Sequence, residues 1–195
     1  MKRAFDFTVS ALGLLILGPF FGLVAILIKL DSVGPVFFKQ ERIGQGFRPF
    51  CIYKLRTMFQ GAHRKGPLVT AGKDSRVTRV GAILRRTKLD ELPQLINVLK
   101  GEMSIVGPRP EVRKYVEIFQ QDFEEILRIK PGITDLASLK YRHETDLLGQ
   151  SANPEEQYVT QILPDKIELA KEYLRTSSLL VDMRVITKTI FKLVE

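Results

Sequence analysis

The stretch "RRTKLDELPQL", residues 85 to 95, sets two adjacent carboxylates, Asp90 and Glu91, behind Arg85, Arg86 and Lys88 and just ahead of Pro93. Carboxylates among cations suit phosphoryl chemistry. The anion attacks phosphorus or holds a metal, while the cations offset charge on the transferring group. The same residues also suit a plain structural role, with Asp90 as N-cap of a helix running from about Glu91 to Lys100 and Pro93 in its first turn. The two readings share one geometry, because the free N–H groups and dipole of a helix start favour a capping carboxylate and a docked phosphate alike. Arg109 is held between two prolines in "GEMSIVGPRPEV", residues 101 to 112. The prolines fix its backbone, and its planar fork suits a phosphate or a pyrimidine edge. A rigid turn carrying an incidental arginine is the other reading. Lys54 and Arg56 are further candidates, as helpers in a basic cleft.

Several elements have to position these side chains. Strand-like runs at Val36–Lys39 and Pro49–Leu55, joined through Gly44, Gln45 and Gly46, predict a small hairpin with Lys54 and Arg56 at one end. Residues 60 to 75, rich in Gly and charge, read as a loop. Asp74 or Ser75 is placed to cap a helix whose Val77, Val80, Ile83 and Leu84 recur at helical spacing and which presents Arg85. Val116, Phe119, Phe123, Ile126 and Leu127 define one amphipathic helix, and "KPGIT" ends it. Two more helices follow over about 165–176 and 178–194, with Pro164 as a break before the first. The last carries Arg184, Lys188 and Lys192 beside Met183, Ile186 and Ile190, a pattern that suits a core-packing helix or one lying on an anionic membrane.

Ahead of all this, "FTVSALGLLILGPFFGLVAILI", Phe7 to Ile28, holds no charge. As a helix it reaches about 33 Å, enough to cross a bilayer core. It lacks a small-residue cleavage motif and exceeds the length of a signal-peptide apolar core. Gly18-Pro19 sits near its middle, where proline removes a hydrogen bond and bends a helix. Lys2 and Arg3 precede it, and Lys29, Lys39 and Arg42 follow it, so the positive-inside tendency favours both ends on the cytoplasmic side. A re-entrant helix-break-helix hairpin satisfies both ends, and a proline-kinked single span is its rival.

The 195 residues suffice for one domain with a sizeable core. Formal net charge is +8, unevenly spread: 20 basic against 8 acidic side chains up to residue 115, then 10 against 14. The first part therefore suits an anionic partner. The single cysteine, Cys51, excludes an internal disulfide and a multi-thiolate metal site. His63 and His143 stand at no ligand spacing from one another.

Taken together, "KRAFDF", the interrupted apolar segment, "GPVFFKQERIGQGFRPFCIYKLRTM", "DSRVTRVGAILRRTKLDELPQLINVLKGEMSIVGPRPE" and "KPGIT" make the chain resemble the bacterial sugar transferase family. These are the monotopic phosphoglycosyl transferases that initiate glycoconjugate assembly on polyprenyl phosphate. Gly18 departs from the pattern, since members often carry Ser there, while Pro19 keeps it. The resemblance implies a mainly helical α+β fold: a re-entrant membrane helix over residues 1–33, then a catalytic domain over 34–195 at the cytoplasmic face of the inner membrane. It implies Asp90 and Glu91 as a catalytic dyad with Asp90 the nucleophile, Mg²⁺ as cofactor held at the dyad, Arg85 on phosphate and Arg109 on the nucleotide. It further implies transfer of a sugar 1-phosphate from a UDP-sugar to undecaprenyl phosphate with release of UMP. Membrane lipid is then a partner and nucleic acid is not, and a homodimer has no motif of its own.

Two other functions compete. A membrane-anchored basic module that binds anionic lipid or nucleic acid explains the charge and the anchor, but not the gathering of Asp90, Glu91, Arg85 and Arg109 about one helix start. A pyrophosphatase using the same dyad would hand the sugar phosphate to water.

Overall fold

The computed structural model describes residues 1–62, 66, 69–72 and 74–194. His63 and part of the loop expected over 60–75 lie outside them. The described chain is a mainly helical α+β fold, as expected, with two small two-stranded sheets, of which the sequence predicts only the hairpin.

α1, Lys2–Asp31, is one long helix with Pro19 inside it. It is long and apolar enough to cross a membrane by length and composition. Leu14 and Leu17 pack against a central cluster that includes Val98, Val106 and Tyr173. Phe20, Phe21, Val24 and Ile28 pack against Leu55, Leu84 and Leu89. Both charged ends are tied to the same body. At the start, Lys2 Nζ donates to the Val106 carbonyl at 3.0 Å and reaches the Asp182 carboxylate, and Asp6 accepts from Ser104 Oγ at 2.8 Å. At the far end, Asp31 accepts from the Val80 N–H at 2.9 Å. The opposite face is bare: Phe7, Leu12, Leu15, Ile16, Leu23, Ile26 and Leu30 are all exposed. Gly18 also faces open space, so Gly18-Pro19 lies on that bare face.

β1 (Phe37–Ile43) and β2 (Pro49–Leu55) pair antiparallel, Phe37 opposite Leu55 and Ile43 opposite Pro49. The first strand outruns the expected Val36–Lys39, because its polar Gln40, Glu41 and Arg42 still find places along a half-exposed ribbon. The turn holds Gly46 at φ 65, where glycine carries no steric penalty.

α2, Arg79–Arg86, is capped by Thr78, whose hydroxyl accepts from the Gly81 N–H at 3.0 Å. This corrects the expected cap at Asp74 or Ser75. Asp74 instead grips Arg76, accepting from its backbone N–H and Nε at 2.9 Å. A tight 3₁₀ turn, Leu89–Gln94, follows and leads into α3, Leu95–Lys100. β3 (Ser104–Val106) and β4 (Gly132–Thr134) form a short parallel pair. Between them, the single amphipathic helix expected from Val116 to Leu127 is two, α4 (Arg113–Ile118) and α5 (Gln120–Ile126), broken where Phe119 leaves helical geometry at φ −116 and ψ 40.

Short helices α6 (Leu136–Lys140), α7 (Glu144–Leu148) and α8 (Pro154–Gln157) come next, then a π turn, Tyr158–Ile162. That turn runs directly into α9, Leu163–Thr176. Pro164 therefore opens a helix and does not break one, since the first turn needs no N–H there. α10, Leu179–Val194, closes the described chain, with Val185 and Asp182 buried in the core.

Candidate active site

The 3₁₀ turn decides what the two adjacent carboxylates do. Lys88, at φ 57, ends α2 in a left-handed step and opens the turn. Three residues per turn set neighbours about 120° apart, so Asp90 and Glu91 point in different directions. The expected N-cap role of Asp90 is corrected here: it lies inside the turn, and the N-cap position belongs to Lys88.

Asp90 is buried, and its Oδ1 accepts no hydrogen bond among the described residues. Burial first, and the charge of Glu91 second, push its carboxyl up to about 6, against the opposing pull of Lys54, Arg85 and Lys88. Glu91 is the opposite case. Its Oε1 accepts from Lys54 Nζ at 2.8 Å, and Arg109 grips both its oxygens, at 2.5 and 3.1 Å. Burial alone would raise Glu91, but Arg109 and Lys54 hold it well below the usual carboxylate range. Burial lowers Lys54 more than Glu91 raises it, whereas the charge of Glu91 raises Arg109 further. One turn thus presents an ionised, doubly paired glutamate beside an aspartate with a free oxygen.

Each neighbour has its own support. Lys54 comes from the end of β2. Arg85, in the last turn of α2, donates through Nε to Thr57 Oγ1 at 2.8 Å and through a terminal nitrogen to Thr70 Oγ1 at 3.2 Å. That leaves it close enough to Asp90 to lower its titration. Arg109 follows β3, and its backbone N–H donates to Asp135 Oδ2 at 3.1 Å. The other oxygen of Asp135 caps α6 through the Ser138 N–H at 2.7 Å. The parallel pairing of Val106 with Thr134 brings these loops together, and it demands glycine: a Cβ on Gly132 would lie 2.1 Å from the Gly107 nitrogen.

Arg56 stands apart from the cluster expected for it. Its guanidinium is committed to the carbonyls of Val33 and Ser32, both at 2.6 Å, and Ile28 at 3.2 Å, sealing the C-terminal end of α1. Charge alone suggested a cleft residue; long-range packing of α1 decides otherwise. The sequence reading also passed over Thr57, Asp135, Glu111 and Arg42. Arg42, Thr57 and Glu111 sit inside quoted motifs and Asp135 directly follows KPGIT, but the burial and pairing of these side chains are invisible in sequence.

The arrangement offers one oxygen with no partner, one ionised carboxylate that fixes two cations, and a third cation, Arg85, on the other flank. That suits transfer of a negatively charged phosphoryl group better than binding of a neutral ligand. Comparison with known proteins agrees. A model of the family described as bacterial sugar transferase matches residues 1–195.

The chain belongs to the bacterial sugar transferase family.

Among relatives of this sugar transferase, a UDP-glucose:undecaprenyl-phosphate glucose-1-phosphate transferase of Escherichia coli (strain K12) is 39% identical over 196 residues, which is 98% of this chain and 40% of that protein. A UDP-N-acetylgalactosamine-undecaprenyl-phosphate N-acetylgalactosaminephosphotransferase of Aeromonas hydrophila is 38% identical over 97% of this chain and 43% of its own length. The chain thus spans less than half the length of these two curated relatives. An exopolysaccharide production protein, PSS, of Rhizobium leguminosarum bv. phaseoli is 39% identical over 97% of this chain and 93% of its own.

Proposed function

We propose that this sugar transferase moves a sugar 1-phosphate from a UDP-sugar to undecaprenyl phosphate, releases UMP, and so begins assembly of a membrane-linked polysaccharide. The observation that carries the reading is the buried, unpaired Oδ1 of Asp90 beside the Lys54–Glu91–Arg109 cluster and Arg85.

In the first step an oxygen of Asp90 attacks the β-phosphorus of the UDP-sugar. A phosphorus–oxygen bond forms, the bond to the bridging oxygen breaks, and UMP leaves with that oxygen. In the second, an oxygen of undecaprenyl phosphate attacks the phosphorus of the aspartyl phosphosugar, and the carboxylate departs. Two anionic substrates then visit in turn and never repel one another in a shared site. Arg85 and Lys54 offset charge on the transferring phosphoryl group, and Arg109 holds the nucleotide side. Glu91, ionised by its two cations, keeps both aimed and leaves Asp90 as the free nucleophile.

A divalent cation fits the same oxygen set. The orphaned Asp90 carboxylate provides a hard oxygen donor, whereas Lys54 and Arg109 already occupy Glu91. Mg²⁺ bound at Asp90 and the substrate phosphates would supply charge neutralisation of the pyrophosphate. α1 seats the protein as a re-entrant segment: both ends meet the body that carries the site, and the bare apolar face enters lipid from the cytoplasmic side.

The test is UMP release in nanodiscs with Mg²⁺, undecaprenyl phosphate and a panel of UDP-hexoses and N-acetylated UDP-sugars, with Asp90→Ala alongside. Repeated turnover that needs the lipid, one sugar and Asp90 is the expected result. Sugar phosphate released to water would make it a pyrophosphatase. Salt-dependent nucleic-acid or lipid binding unchanged by Asp90→Ala, with no UMP from any sugar, would make it a binding module.

A further inference from the structure

Arg42 lies on β1, in the motif that also carries Lys54 but not among the residues picked out for the site, and it belongs to the same charged cluster. Lys54 and Arg109 each feel its charge or impose theirs on it, and Glu91 attracts it. Its side chain is 18% exposed. One terminal nitrogen donates to the Pro110 carbonyl and to Glu111 Oε2, both at 3.3 Å, and the other donates to Gln40 Oε1 at 2.9 Å. Its Nε is buried without an acceptor among the described residues.

The bland reading is a structural ion pair tying β1 to the Pro-Arg-Pro segment. The backbone already does that, because the Ile43 N–H donates to the Glu111 carbonyl at 3.0 Å. The Arg42–Glu111 contact is also single and long, unlike the two-pronged grip of Arg109 on Glu91. A guanidinium has five N–H donors in a fixed fork, and Arg42 leaves part of that fork unused beside two other cations. Three cations, Arg42, Lys54 and Arg109, here share two carboxylates, Glu91 and Glu111, and the surplus positive charge suits an incoming anion. Glu111 is itself braced: Tyr158, the first residue of the π turn, donates its hydroxyl to Glu111 Oε1 at 2.7 Å. π turns recur at functional sites, where they aim one side chain.

Which anion follows from position. Ile43 and Tyr158, on either side of Arg42 and Glu111, belong to a core cluster that contains no residue of α1. Leu84, next to Arg85, packs directly on Val24 and Ile28 of α1. A lipid phosphate enters from the α1 side, and a soluble nucleotide reaches the wall away from it. We propose that Arg42 is a further anion-binding residue that grips the phosphates of the nucleotide substrate, with Glu111 and Tyr158 as the residues that position its fork. This rests on the nucleotide-sugar reading above.

The test measures KM and kcat for both substrates in Arg42→Lys, Arg42→Gln and Tyr158→Phe, with inhibition by UMP as a second probe. Arg42→Lys keeps the charge and loses the fork. Its KM for the UDP-sugar is expected to rise about tenfold, the scale of one charge-assisted hydrogen bond, with weaker inhibition by UMP. KM for undecaprenyl phosphate stays within twofold, and Tyr158→Phe moves the same way by less. If Arg42→Gln fails to fold, the lysine and phenylalanine variants decide. An unchanged KM for the UDP-sugar, an equal rise in both KM values, or a loss of thermal stability alone would return Arg42 to a structural pair. A parent protein that releases no UMP from any UDP-sugar overturns the function itself, and the role of Arg42 with it.

Discussion

Asp90 and Glu91 are chemically alike and adjacent, but the fold drives them to opposite protonation behaviour. The stability of the protein should record this. An unfolded aspartate ionises near 3.8, and burial with the charge of Glu91 raises the folded Asp90 to about 6. Between those values the folded protein keeps a proton that the unfolded chain has lost, so stability falls as pH rises through that window and stays low above it. The difference corresponds to about 3 kcal/mol. Asp90→Asn should therefore abolish UMP release yet melt above the parent at pH 8, with the two curves converging near pH 4. Thermal unfolding at both pH values checks this. A variant that melts lower at pH 8 would mean that the surrounding cations stabilise ionised Asp90 more than burial penalises it. At this scale the sequence went far: five of the six side chains singled out for the cleft, Asp90, Glu91, Arg85, Arg109 and Lys54, do come together. Arg56 does not, and Arg42 was missed, because which end of a strand a cation serves depends on packing partners distant in the chain.

Elements were legible in kind and less so in their ends. The hairpin, the arginine-bearing helix and the two C-terminal helices lie where hydrophobic spacing puts them. The segment after Lys88 does not run as one α-helix from Glu91, because apolar residues three apart, such as Leu89 and Leu92, fit a 3₁₀ turn as well. The difference matters, since an α-helical start would have tied Asp90 up as a cap. Close packing of α2 supports the site from the other side. A Cβ on Gly81 would lie 2.1 Å from the Thr57 carbonyl, and Thr57 is what holds Arg85. Gly81→Ala should destabilise the protein by about 1–3 kcal/mol through overpacking. It should also weaken turnover beyond what the lost stability explains, by moving Thr57 off Arg85. Melting temperature and turnover at a temperature where the variant is fully folded separate the two effects; a silent substitution would mean that Thr57 gives way without disturbing Arg85.

Across the whole molecule, the apolar helix α1 is the organising piece. Sequence left a re-entrant hairpin and a kinked span open. The expected helix-break-helix does not appear, since α1 runs unbroken through Gly18-Pro19, while Lys2 and Asp31 are both fastened to the body that holds the site. Cysteines placed at residues 2 and 32 should react with an impermeant reagent from the same side of sealed vesicles. Reaction from opposite sides would establish a span. Leu15, Ile16 and Leu30 on its bare side are exposed, and an apolar patch of this kind marks an interaction surface.

The most direct measurement withholds the lipid. Protein is mixed with UDP-sugar labelled in the sugar and Mg²⁺, without undecaprenyl phosphate, then quenched and digested. One UMP per protein, with the labelled phosphosugar on the peptide containing Asp90 and none on Asp90→Asn, is the expected result, and added undecaprenyl phosphate should then discharge the label. UMP that appears only when the lipid is present, with no label on the protein at any time, would contradict a covalent aspartyl intermediate.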